Sequence, residues 1–311
     1  MKHFNKPLMI VFLISVVFSG ETFSMGSRRP KRPNPAPAPA PAPVPAPTPT
    51  PAPPTPPNDS PYVEQIKELV KNSTCTTYSW KNRGRAPAGY IKGVSLSFAR
   101  SLCRLKKSKQ SPSGLVTILT GANTQNTKQD ALAHYQNNFD VLQMSTDVAG
   151  VAPLRALYTL GMGLGMRESS GKYCEGWDKS AGSNRSSSAA EAGIFQTSYD
   201  SMGLSPELRN LYNEYKANNG ARCFLEVFKE GVSCGSASIL GTGAGAEYQI
   251  FNKACPSFAT EYAMTMLRIH RGHYGPINRK EAEVNPACNQ LLKNIQELID
   301  NDPQNACDDI N

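Results

Sequence analysis

Between residues 154 and 166 almost every side chain is apolar: Leu154, Leu157, Tyr158, Leu160, Met162, Leu164 and Met166 leave no polar face. A segment apolar on all sides reads as a helix buried inside a fold. Elsewhere apolar residues recur every three or four positions, the spacing of a helix with one buried stripe. Val63, Ile66, Leu69 and Val70 follow Ser60 and Pro61, which suit an N-cap and a first helical turn. Similar spacing predicts helices near 96–105, 128–139, 206–215, 223–228, 258–270 and 289–299, the last with Leu291, Leu292, Ile295 and Leu298 on one stripe. Residues 76–94, rich in Lys, Arg, Gly and Tyr, read as loop or short extended structure, and 231–245, crowded with Gly and Ser, as a mobile loop. No run of alternating strands and no fixed-period repeat interrupts this pattern. The expected class is mainly α.

The N-terminal end follows other rules. Lys2 and Lys6 precede an apolar run over 8–18, and Thr22, Phe23 and Ser24 sit where a signal peptidase reads, so residues 1–24 are expected to be a cleaved secretory signal. The run is shorter than the ~20 apolar residues a membrane span needs. No stable membrane insertion is expected after cleavage. The absence of a following cysteine closes the lipoprotein route. Residues 25–59 are expected to form a disordered linker, because the Pro-Ala and Pro-Thr alternation over 30–57 offers no large apolar residue beyond Val44. Such a chain favours polyproline II, rising ~3.1 Å per residue, and acts as a semi-rigid spacer. Residues 60–311 remain for a single domain with a substantial core.

Export changes how the cysteines read. Cys75, Cys103, Cys174, Cys223, Cys234, Cys255, Cys288 and Cys307 are an even set without a C-x-x-C pair, which in an oxidising compartment implies disulfides. Cys223 with Cys234 and Cys288 with Cys307 would close short local loops. His3, His134, His270 and His273 are the only histidines and form no zinc-ligand spacing with the cysteines, so neither metal nor cofactor is expected. The net charge of +8 suits nucleic acid, a membrane surface or an acidic polymer, or serves solubility alone. For an exported protein the acidic polymer fits best and nucleic acid is not expected. Lys81, Arg83, Arg85 and Lys92 interleave with Tyr78, Trp80 and Tyr90, which reads either as a sugar-binding groove or as a plain basic loop.

The candidate chemistry lies at the end of the apolar run. Arg167 and Glu168 close it, and Ser169, Ser170 and Gly171 break it. A carboxyl at the mouth of a buried helix is desolvated, which favours its protonated form and suits a general acid near neutral pH. A second segment follows: Glu191, Ala192, Gly193, Ile194, Phe195, Gln196, Thr197 and Ser198. Gly193 allows close backbone approach. Gln196 offers a donor and an acceptor to a sugar amide.

Glu168-Ser169-Ser170-Gly171 resembles the E-S-x-G signature of goose-type lysozymes and soluble lytic transglycosylases, and Gly193-Ile194-Phe195-Gln196 is similar to their G-L-M-Q motif. The match is close over 154–202 and looser beyond. Exported lysozyme-like proteins of Gram-negative bacteria belong to the same superfamily. The resemblance implies a lysozyme-like fold, a monomer in the periplasm or secreted, and peptidoglycan glycan strands as partner. The bond cut would be the β-1,4 link between N-acetylmuramic acid and N-acetylglucosamine or its deacetylated form. It implies Glu168 as catalytic acid and Gln196 in substrate binding, with Ser198 and Tyr199 in the same cleft. His273-Tyr274-Gly275 loosely resembles the transglycosylase A-Y-N motif, which implies a hydrogen bond from Tyr274 to Glu168. One position departs: goose-type lysozymes carry an acid two residues after the motif Gln, where this chain has Ser198. Glu191 is the first candidate for a replacement second acid, ahead of Asp178, Glu175 and Asp200. Lytic transglycosylases need no such acid, because the substrate's own N-acetyl group yields a 1,6-anhydro product. Two readings of other classes stand beside these: a noncatalytic peptidoglycan-binding module, and an envelope protein whose proline-rich spacer carries the function.

Overall fold

Ser60 begins the folded part by accepting a hydrogen bond from the Val63 N–H, and Pro61 opens α1 (Pro61–Lys71), which buries Ile66 and Val70. The computed structural model describes residues 60–311 apart from 109–110, 178, 180–184, 219–221 and 236. The expected signal segment 1–24 and linker 25–59 lie outside the described residues. A 3-10 turn (Thr74–Thr76) leads into an antiparallel hairpin, β1 (Ser79–Trp80) and β2 (Gly84–Arg85), paired Ser79 to Arg85 and Trp80 to Gly84. Next comes α2 (Ala88–Lys107).

Helix α2 starts well inside the stretch expected to be loop. Its early turns carry Gly89 and Gly93, weak helix formers, yet Tyr90, Ile91 and Val94 are fully buried. The glycines are there for a packing reason that local pattern does not reveal. A Cβ on Gly93 would stand 2.3 Å from the Phe228 ring, and one on Gly89 2.3 Å from the Val227 carbonyl. They admit α8 (Leu225–Lys229) against the helix backbone.

Between α2 and α8 run α3 (Gly114–Thr120), α4 (Ala131–His134), α5 (Gln136–Val141), α6 (Val151–Ser169) and α7 (Pro206–Ala217). The single helix expected over 128–139 is two short ones meeting at Tyr135. Asp130 caps the first, accepting from the Leu132 N–H at 2.9 Å. Beyond α8 come α9 (Ala244–Ala254), α10 (Pro256–Ile269), α11 (Gly275–Asn278), α12 (Pro286–Asn301) and α13 (Pro303–Ile310). Helices α3, α9, α11 and α13 were not predicted. The class is mainly α, and the hairpin is the one paired sheet among the described residues.

The all-apolar run forms most of α6, with residues from Leu154 to Met166 buried except Arg155. It packs against α2, α3, α10 and α12. Helix α12 buries Leu291, Leu292, Ile295 and Ile299, while Leu298 is only partly covered. Glu261 of α10 is wholly buried and accepts from Ser101 (2.8 Å), Arg104 (3.1 Å) and Tyr215 (2.9 Å), joining α2, α7 and α10. Burial opposes its ionisation, but Arg104 and Arg100 outweigh that and hold it below the usual carboxylate range. Among the described residues no helix is long and apolar enough to cross a membrane.

All eight cysteines are paired, but not in the local loops expected. The disulfides are Cys75–Cys288, Cys103–Cys307, Cys174–Cys234 and Cys223–Cys255. Cys288 and Cys307 lie on separate helices that face different neighbours, so each bonds a residue more than 200 positions away. These two bridges fasten α12 and α13 to the N-terminal segments. Cys223 meets Cys255 at the α9–α10 junction, where the Ser257 N–H donates to the Cys223 carbonyl, and Cys234 is left to reach Cys174. Four disulfides are what a folded region in an oxidising compartment carries.

Candidate functional site

Helix α6 stops immediately after Glu168 because Ser170 and Gly171 take left-handed backbone angles (φ 55° and 75°). The Ser170 and Gly171 N–H groups then satisfy the Met166 and Gly165 carbonyls, each at 3.1 Å. A Cβ on Gly171 would come 2.8 Å from the Tyr90 ring, so the turn is pressed against α2. Ser169 turns inward and donates to the Ile194 carbonyl at 2.8 Å.

That hydrogen bond joins the helix end to the second motif. Residues 192–197 form a tight loop closed by reciprocal Ala192 and Thr197 backbone bonds of 3.1 and 3.2 Å. Ile194 and Phe195 are fully buried anchors. Gly193 (φ 78°) is required: a Cβ there would stand 2.0 Å from the Asn252 carboxamide oxygen. Asn252 also donates to Thr197 Oγ1 at 2.7 Å. Gln196, itself at φ 45°, spends its Nε2 on the carbonyls of Gly193 (2.9 Å) and Gly176 (3.2 Å).

Glu168 and Gln196 face one cleft of ≈ 330 Å³, shared with Glu175, Gly176, Trp177, Lys179 and Ser238. Burial, and next the charge of Glu191, raise the Glu168 carboxyl from 4.5 to about 7, against the opposing pull of Arg83, Arg279 and Arg167. Glu191 is partly exposed, with Oε1 3.8 Å from His273 Nε2, and the same nitrogen stands 3.1 Å from the Gln196 carbonyl oxygen. His273 thus bridges Glu191 and the Gln196 loop, a role that its place in His273-Tyr274-Gly275 does not suggest.

Of the other sequence-derived candidates, only Glu175 lines the cleft among the described residues. Ser198 is buried and Tyr199 half-buried, its ring edge-on to Tyr248; neither lines the cleft. Tyr274 is 1% exposed, and its hydroxyl makes no hydrogen bond, so the expected bond to Glu168 is not formed. Burial, followed by the charge of Glu168, pushes that hydroxyl well above its ordinary range. Glu175 lines the cleft, Asp200 is exposed outside it, and Asp178 lies outside the described residues. Trp80 and Tyr90 are core residues and Tyr78 bonds Glu283, so the aromatic faces of 76–94 form no groove.

Trp177, Lys179 and Ser238 were missed as cleft walls. Trp177 had a signal in being one of two tryptophans. Ser238 had none: its segment reaches the cleft through the Cys174–Cys234 bridge and through Lys253, which donates to the Ala237 and Ser238 carbonyls at 3.1 and 3.4 Å. Among the described residues no three His, Cys, Asp or Glu side chains gather closely enough to hold a metal ion. No family model matches the chain, and no curated protein or solved structure matches it either.

Proposed function

We propose that this chain is a lysozyme-like glycosidase of the goose-type and soluble lytic transglycosylase kind, exported to the periplasm or secreted, that cuts peptidoglycan. The observation that carries the reading is Glu168: a half-buried carboxyl held at about 7, opening into a cleft beside a glutamine locked in place. The bond would be the β-1,4 link between N-acetylmuramic acid and N-acetylglucosamine or its deacetylated form. At neutral pH about half of the Glu168 population holds its proton. That proton goes to the leaving glycosidic oxygen as positive charge develops at the anomeric carbon. The arginines around Glu168 favour the carboxylate left behind. Gln196, with its Nε2 bonded internally, presents its oxygen to a sugar amide. Glu191 is the second acid: its charge acts on Glu168, and His273 steadies its carboxylate.

Ser198 supports a second outcome. It stands where goose-type lysozymes carry an acid, and it is buried away from the cleft. A transglycosylase course, in which the substrate's N-acetyl group attacks, dispenses with that acid. Product masses from sacculi digested by the mature protein test the proposal and separate its branches. Reducing-end sugars mean hydrolysis and 1,6-anhydro sugars mean transglycosylation. Intact sacculi bound without cleavage would leave a noncatalytic binding module.

A further inference from the structure

The hairpin before α2 is fixed more firmly than two strands of two residues require. Tyr78 OH and the Lys81 N–H both donate to the Glu283 carboxylate at 2.7 Å. Trp80 is buried, with Tyr78 edge-on to it at 5.0 Å. The turn passes through left-handed Asn82 (φ 60°) and Gly84 (φ 72°). Arg83 donates to the Arg167 carbonyl at 2.5 Å, and Arg167 donates back to the Lys81 carbonyl at 3.3 Å. The hairpin is therefore clamped to the residue that precedes Glu168.

This clamped turn presents cations to solvent. Lys81, Arg83 and Arg85 are all exposed, and among the described residues none of the three forms a salt bridge, although the charge of Arg83 acts on Glu168. Glu283 is occupied by the hairpin's own donors, and Glu281 by Arg167 and Arg279. Charges carried on a clamped turn lose little loop entropy when they bind, which is one place where binding usually loses free energy. An arginine also meets a carboxylate with paired donors.

We infer that the β1–β2 hairpin, which flanks the cleft beside Glu168, is a carboxylate-binding surface, and that Lys81, Arg83 and Arg85 take the stem-peptide carboxylates of the strand being cut. The inference rests on the wall-glycan reading. The hairpin is bonded to Arg167, the residue before Glu168, and the charge of Arg83 acts on Glu168, so a strand cut at Glu168 passes within reach of these cations, while Trp177 and Gln196 line the cleft for sugar. The hairpin thus selects peptide-bearing strands over bare glycan.

The test measures binding, with cleavage removed by Glu168→Gln. That parent, and the same protein with Lys81→Gln and Arg85→Gln, which leave the Arg83 clamp intact, are titrated with peptide-bearing glycan strands and with strands stripped of peptide by an amidase. The inference expects about tenfold weaker binding to peptide-bearing strands, equivalent to about 1.4 kcal/mol, and no change on stripped strands, which also serve as the check on folding. Lys81→Arg with Arg85→Lys, which keeps both charges, should retain the preference. Equal weakening on both polymers, no weakening on peptide-bearing strands, or a parent that binds neither would overturn it. If wild-type protein cuts neither polymer while the hairpin-dependent preference persists, the glycosidase reading falls and the hairpin assignment stands.

Discussion

Ser169 Oγ donates to the Ile194 carbonyl at 2.8 Å, so the residue next to the candidate acid holds the loop that carries the candidate substrate-binding glutamine. The two motifs are one mechanical unit, separated by about twenty residues of sequence and joined by a buried hydroxyl and by the packing of Phe195 on Gly165. Ser169→Ala leaves that carbonyl without its partner, at a cost of about 1–3 kcal/mol. Activity should fall further than stability, because Gln196 moves relative to Glu168. Comparing kcat/KM with the denaturant midpoint checks this.

Gly193→Ala should be more severe. It places a Cβ 2.0 Å from the Asn252 oxygen at a φ of 78° that L-residues rarely adopt. Strain of this kind costs about 1–3 kcal/mol before any clash is relieved. The loop should open with loss of cleavage, and urea unfolding with an activity assay reads both. Native stability with full activity would show that the loop tolerates the change.

The pH dependence follows from Glu168. Its carboxyl is raised from 4.5 to about 7, so kcat/KM should fall on the alkaline side as the acid ionises near 7. Glu191→Gln removes the second cause of the increase and should move that limb to lower pH. Stability carries the same signature with a definite sign. Between pH 4.5 and about 7 the native state keeps a proton that the unfolded chain releases, so stability falls as pH rises through this window, by of order 2–3 kcal/mol. Glu168→Gln should flatten that decline, which thermal melts across the window would display.

Not all the disulfides should matter in the same way. Cys75–Cys288 closes a long loop and holds α12 to the N-terminal layer, so replacing both with serine should cost about 2–4 kcal/mol. Cys174–Cys234 carries the Ser238 segment to the cleft, and its loss should reduce kcat/KM more than it reduces stability. Peptide mapping of the unreduced protein checks the four pairings directly.

These cases also show what the sequence could and could not reveal. Helix α6 and the placing of Glu168 at its end were readable, because an all-apolar run followed by Ser-Ser-Gly constrains the backbone locally. The cap at Ser60 and the stripe of α12 were readable for the same reason. The first turns of α2 were not, since Gly89 and Gly93 make sense only once α8 presses on them. Disulfide pairing was misread because loop length favours neighbours, whereas the helices holding Cys288 and Cys307 point their sulfurs at different partners. The cleft walls at Trp177 and Ser238, and the bridge made by His273, depend on contacts between segments far apart in the chain. No local pattern encodes those.

The central claim is that Glu168 is the acid that breaks the glycan. The most direct measurement is release of soluble fragments from purified sacculi by the wild-type protein and by Glu168→Gln, a substitution that keeps the shape and removes the ionisable proton. Cleavage by wild type with loss of at least ~100-fold in the variant, the lower end of what a positioned general acid contributes, is the predicted result. Equal cleavage by both proteins, or none by either, would contradict it.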